Sequence, residues 1–183
     1  MAPISGARVM LDYLVAEAGV RLLHQRYSDA VWRHDYDAFA ACFGEGGEWR
    51  ISGMTLVGRP QIRETIERIM ARLDRVLISF RNPILDMTDG AVSARTYIDE
   101  RCAWTNGDTN IALGCYYERF TELGGRWFFK WRLFQPLYRG APDMTGTFFE
   151  YPNYGAPPAM PPLDAVPPDL ASARWGLRPD TSR

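Results

Sequence analysis

A carboxylate on an alternating β-strand is the first place in this chain to look for acid-base chemistry. Glu100 lies in the run from Ala91 to Trp104. Alternation puts it on one face with Thr96, Ile98 and Cys102, and leaves Arg95, Tyr97, Asp99 and Arg101 on the other. A carboxyl on the less charged face, set against aromatic walls, has its pKa raised by desolvation and becomes a general acid or base near neutral pH. The competing reading is a surface ion pair. Tyr27 can donate a hydrogen bond to a substrate oxygen, or form the hydroxyl-tipped edge of a packed helix. Arg132, between Trp131 and Leu133, keeps its charge where water is scarce and can stabilise an oxyanion or phenolate, unless it is spent on a salt bridge to Glu118. Lys130, the only lysine in the chain, shares the Arg132 face of a regular strand and would titrate low in an apolar setting. Trp49 and Tyr116 are placed to stack on an aromatic ligand or to serve as ordinary core, and Phe134 is assigned with them to the pocket wall.

Other chemistries find little support. Cys42, Cys102 and Cys115 are odd in number and form no C-x-x-C pair, so they read as reduced, packed thiols rather than a disulfide framework or zinc site. His24 and His34 fall on or at the end of the first helical segment, with no H-x-x-x-H or E-x-x-H spacing, and no metal site is expected. The glycines of residues 44–47 and 124–125 lie at turns outside any βαβ unit, which argues against a dinucleotide. The net charge is -1 and no basic stripe stands out, so nucleic acid is not an expected partner.

These side chains need a scaffold, and hydropathy periodicity supplies one. With 183 residues, 46% hydrophobic and 23% charged, the chain fits one globular core. Apolar residues recur at helical spacing from Leu11 to Phe43, with a corner near His34-Asp35 where an aspartate can cap a second helix. Gly44, Gly46 and Gly47 are expected to stop that helix. A hairpin follows through Gly53, then an amphipathic helix over residues 59–73 opened by Pro60. Strands are expected over residues 75–87, 91–104, 110–123 and 126–138, broken by Asp89-Gly90, Asn106-Gly107 and Gly124-Gly125. The fold class is α+β: a cone-shaped barrel, one curved antiparallel sheet packed on about three N-terminal helices. Residues 1–140 form this domain. Residues 141–183, rich in proline, are expected to run extended over the surface or onto a neighbouring subunit. No apolar run reaches the roughly 20 residues of a membrane span, and the N-terminus lacks signal-peptide order, so a cytoplasmic protein with no membrane partner is expected.

Tyr27-Ser28-Asp29-Ala30-Val31, Asp35-Tyr36-Asp37-Ala38-Phe39, Glu48-Trp49, Gly58-Arg59, the four strands and Tyr116-Tyr117-Glu118-Arg119 with Trp127 together resemble the SnoaL-like family of the nuclear transport factor 2-like superfamily. The resemblance covers roughly Leu11 to Tyr138. It implies a cofactor-independent lyase, a dehydratase or carbon-carbon lyase, acting on a small hydroxylated aromatic or polycyclic compound, in a homodimer or homotrimer. It also allows a non-catalytic ligand-binding protein or the small subunit of an aromatic-ring dioxygenase. In the dehydratase branch an aspartate late in the first helix and a histidine after the third helix form a base pair. The matching positions hold Trp32 and Ile78, which leaves them as substrate-binding walls. Tyr27 and Glu100 match a pocket tyrosine and a strand acid of that branch. With Arg132 they form the expected catalytic set.

Overall fold

The computed structural model describes residues 6–149. Eleven elements follow in order: α1 (Gly6–Trp32), α2 (Tyr36–Ala40), β1 (Phe43–Ile51), β2 (Met54–Val57), α3 (Arg59–Met70), β3 (Leu73–Phe80), β4 (Ile84–Thr88), β5 (Ala91–Trp104), β6 (Thr109–Leu123), β7 (Arg126–Gly140) and β8 (Thr147–Phe148). The strands make one sheet in the order β2-β1-β7-β6-β5-β3, with β4 beside β5 and β8 beside β7. The three helices precede the meander and cover its inner face, as the layer argument requires.

The buried residues of α1, namely Ala16, Val20, Leu23, His24, Tyr27, Ala30 and Val31, recur at helical spacing and turn one stripe onto the sheet. The contact is close because Gly19 has no side chain: a Cβ there would collide with the indole of Trp127. The helix ends where His34 adopts a positive φ of 54°. The corner at Asp35 is the expected one, its Oδ1 accepting a bond from the Ala38 amide at 2.9 Å. Pro60 sits in the first turn of α3, whose face of Ile62, Ile66, Ile69 and Met70 is buried.

Three local expectations change. Gly44, Gly46 and Gly47 do not follow a helix end but run inside β1, where the register against β7 shifts between Phe43 and Glu48. The long strand expected over residues 75–87 is two, β3 and β4, because the chain leaves the ladder across Arg81, Asn82 and Pro83, and proline cannot donate to a sheet. The sheet is also mixed. β1 lies parallel to β7, since the whole meander intervenes between them; the other pairs are antiparallel. The short β8 adds to β7, and the proline-rich stretch from residue 150 onward, with its expected surface or intersubunit path, lies outside the described residues.

Candidate active site

The inner face of β5 presents Val92, Ala94, Thr96, Ile98, Glu100 and Cys102 by plain alternation. On β6, Tyr116, Glu118 and Phe120 are buried on the same face. A bulge decides the parity of β7: Phe120 pairs with Phe129 while Arg119 pairs with Trp131, so Lys130 has no partner position and both Phe129 and Arg132 point inward. Lys130 is exposed to solvent, so the apolar setting considered for it is absent.

Two sites result. The first is a cavity of about 40 Å³ between helices and sheet, walled by Tyr27, Trp49, Ile78, Glu100 and Tyr116 with α3 residues including Ile66 and Met70. This volume holds roughly one water. Of the expected residues, Tyr27, Glu100, Trp49, Ile78 and Tyr116 therefore meet at one hollow. Glu100 is half-buried, with the Cys102 thiol donating to its Oε1 at 3.2 Å. Desolvation raises its pKa above the ordinary carboxylate range, opposed by that thiol and by the Arg139 charge. The Tyr27 and Tyr116 hydroxyls lie 3.4 Å apart. Burial raises both phenol pKa values, so both remain protonated donors.

The second site lies behind those tyrosines and is fully enclosed. Glu118 accepts from His24 Nε2 at 2.9 Å, from Thr96 Oγ1 at 2.8 Å and from Arg132 Nε at 2.8 Å. Because an ionised carboxylate only accepts, Nε2 is the protonated nitrogen of His24. The His24 ring stacks on Phe80 at 4.5 Å with an interplanar angle of 1°. The Arg132 guanidinium carbon sits 3.4 Å from the Tyr116 ring centre, 4.2 Å from Tyr27 and 4.3 Å from Phe129. Its Nη1 and Nη2 have no hydrogen-bond acceptor among the described residues. Burial would push the Glu118 pKa up, but the His24 and Arg132 charges and the bonds from His24 and Thr96 outweigh it and hold the group below its ordinary value.

Three expected roles are corrected by this arrangement. Arg132 does not reach the cavity: its Nε is committed to Glu118 and its flat face to two tyrosine rings, so it acts on a ligand only through Tyr27 and Tyr116. Phe134 packs on Tyr116 at 4.9 Å and over Gly114, behind the cavity wall rather than in it. Trp32 ends α1 pointing away from the hollow, 51% exposed, and borders a cleft along β3, β5 and β6. The resemblance placed an acidic residue at that helical position, but the indole has turned outward. His24 and Glu118 were not among the expected functional residues, although both carried a signal: His24 lies one turn before Tyr27 on the buried stripe, and Glu118 shares the Tyr116 face by alternation.

A curved sheet under three covering helices is the nuclear transport factor 2-like fold. The chain matches the profile of the SnoaL-like domain over residues 12–132 and belongs to that family. Comparison with curated proteins gave no match. Among solved structures it is similar to a candidate scytalone dehydratase from Novosphingobium aromaticivorans, at 19% identity and a TM-score of 0.66, over 74% of this chain and 93% of that one. It is similar to a hexachlorocyclohexane dehydrochlorinase from Novosphingobium barchaimii at 16% identity and a TM-score of 0.63, over 78% and 99% of the two chains. A protein of unknown function from Mycobacterium tuberculosis aligns at 20% identity with a TM-score of 0.62, over 74% and 78%. Among the described residues no helix is long and apolar enough to cross a membrane.

Proposed function

We propose that this protein is a cofactor-independent lyase, a dehydratase or carbon-carbon lyase, acting on a small hydroxylated aromatic or polycyclic compound in the Tyr27–Glu100 hollow. The observation that carries the reading is a single desolvated carboxyl, Glu100, sharing with a tyrosine hydroxyl pair a hollow whose other walls are apolar except for Ser52. A carboxyl raised toward the working pH suits a general base. In a dehydration, the Glu100 carboxylate takes a proton from carbon, the released electron pair forms the double bond, and the carbon–oxygen bond breaks. Tyr27 gives its proton to the departing oxygen, and the products are the alkene and water. Arg132, face-on to both tyrosine rings, stabilises the negative charge that builds on the phenols as the proton leaves. The similar structures described as a candidate scytalone dehydratase and a dehydrochlorinase support elimination chemistry on such a scaffold. A ring needs more room than about 40 Å³, so binding requires wall side chains to repack, and Met70 on α3 is the adaptable one.

The test is a panel of hydroxylated aromatic and polycyclic alcohols assayed with purified wild-type protein and with Glu100→Gln. Turnover that falls about 100-fold in the variant supports the proposal. No turnover of any compound by wild type sinks it.

A second reading is a ligand-binding protein, or the small subunit of an aromatic-ring dioxygenase. The outward Trp32 and the apolar Ile78, which leave the hollow without an imidazole, favour it. Copurification with a larger iron-containing chain would decide for that reading.

A further inference from the structure

Among the described residues, two surfaces expose apolar side chains to solvent. One is the start of α1. Gly6 to Val15 are all exposed, and Ala16 is the first buried residue of the helix. Within that stretch Val9, Met10, Leu11, Leu14 and Val15 are between 49% and 60% exposed, and around the helix they leave only the side of Arg8 and Asp12 polar. A helix that is apolar most of the way round is stable only when something encloses it. The other surface is a cleft of about 630 Å³ along β3, β5 and β6, where Leu77, Ile111 and Leu113 lie beside Trp32, Glu100 and Arg101. Leu77 is 46% exposed.

The helix cannot fill the cleft of its own chain. Trp32, at the far end of the same α-helix, borders the cleft, and Met10 is 22 residues earlier on one continuous rod, about 33 Å at 1.5 Å per residue. A membrane surface is a poor alternative occupant, because a membrane-lying helix carries a belt of Lys and Arg and this stretch has Arg8 alone. Charge favours a second copy: the Asp12 carboxylate is exposed on the helix, and the exposed Arg101 guanidinium lines the cleft beside Glu100 and beside Asp99, whose carboxylate Arg81 already engages at 2.9 Å.

We propose that the exposed N-terminal turns of α1 dock into this cleft on a second copy of this chain, with Asp12 meeting the partner copy's Arg101. Done reciprocally, the exchange runs the two α1 helices antiparallel and closes a two-fold dimer in which both uncovered surfaces are used twice.

Sedimentation velocity of the full chain tests this. Wild type is expected to sediment as a dimer, and Leu11→Glu on the helix and Leu77→Glu in the cleft, both at exposed positions, each give monomers with unchanged far-UV circular dichroism. Asp12→Arg and Arg101→Asp singly weaken dimerisation about tenfold or more, and combining them in one chain restores it. A monomeric wild type overturns the proposal, whether or not it cosediments with lipid vesicles. So does a dimer that Leu77→Glu and Arg101→Asp leave intact, since the helix would then be pairing elsewhere.

Discussion

Glu100 and Glu118 are carboxylates on neighbouring strands, both turned to the inner face of one sheet, and their surroundings drive them in opposite directions. Glu118 receives hydrogen bonds from an imidazole, a hydroxyl and a guanidinium and is held ionised below its ordinary pKa. Glu100 receives one bond from a thiol, and desolvation raises it. Burial is common to the two; the number and charge of donors differ. A carboxylate with every lone pair engaged is fixed and chemically idle, whereas one left short of donors can exchange a proton with a ligand. The molecule uses the first to hold its interior together and keeps the second at the hollow.

Removing Glu118 should break the comparison most severely. Glu118→Ala leaves the fully buried Arg132 without its anion, and truncating one partner of such a pair costs about 3–5 kcal/mol. Urea denaturation should show that loss, and a variant of wild-type stability would mean that the cluster of aromatic rings alone supports the guanidinium. Glu100→Gln should do the reverse. Its stability should stay within about 1 kcal/mol of wild type, while turnover of any substrate found by the alcohol panel falls about 100-fold, or about 2.7 kcal/mol of barrier.

How much of this contrast could be read before the structure depended on alternation and where it fails. Strand parity put Glu100 inward, with Asp99 and Arg101 on the opposite face. The corner at Asp35 and the buried helical stripe through Tyr27 were equally visible, and all held because each is set by local spacing. For Arg132 the sequence offered two roles, oxyanion stabiliser or salt bridge to Glu118, and the structure forms the salt bridge. One bulge at Lys130 sets the direction of Arg132, and bulges leave no period in the sequence. His24 and Glu118 lie 94 positions apart, so only the fold brings them together. Trp32 went the other way: a family position implied the hollow, but a bulky indole at the last residue of α1 was free to turn outward.

Titration separates the two carboxylates next. Glu118 is depressed in the folded state, so its contribution is fully present above the unfolded glutamate value of about 4.3 and is lost as pH falls through the lower folded pKa. Glu100 is raised, so the folded chain binds the proton more tightly. Its contribution is greatest below about pH 4.3 and declines as pH rises through the higher folded value. Denaturation curves across this range should show Glu100→Gln removing the decline on the alkaline side while leaving the acid-side loss in place. A Glu100→Gln profile that runs parallel to wild type at every pH would mean Glu100 has the same proton affinity in both states.

The smallest effect belongs to the tyrosine pair that joins the two sites. The Tyr27–Tyr116 contact is long at 3.4 Å, and an ordinary hydrogen bond contributes only about 1 kcal/mol net. Tyr27→Phe keeps the ring over Arg132 and removes only the hydroxyl, so the cation–π contact at 4.2 Å survives. Stability should fall by about 1 kcal/mol or less, measured by denaturation. Under the elimination proposal kcat should nevertheless drop about 100-fold, because the hydroxyl supplies the departing oxygen's proton. Rate and stability thus come apart at Tyr27 as they do at Glu100. Parallel losses in both would instead place Tyr27 with Glu118, as part of the frame that holds the hollow open rather than a group that acts within it.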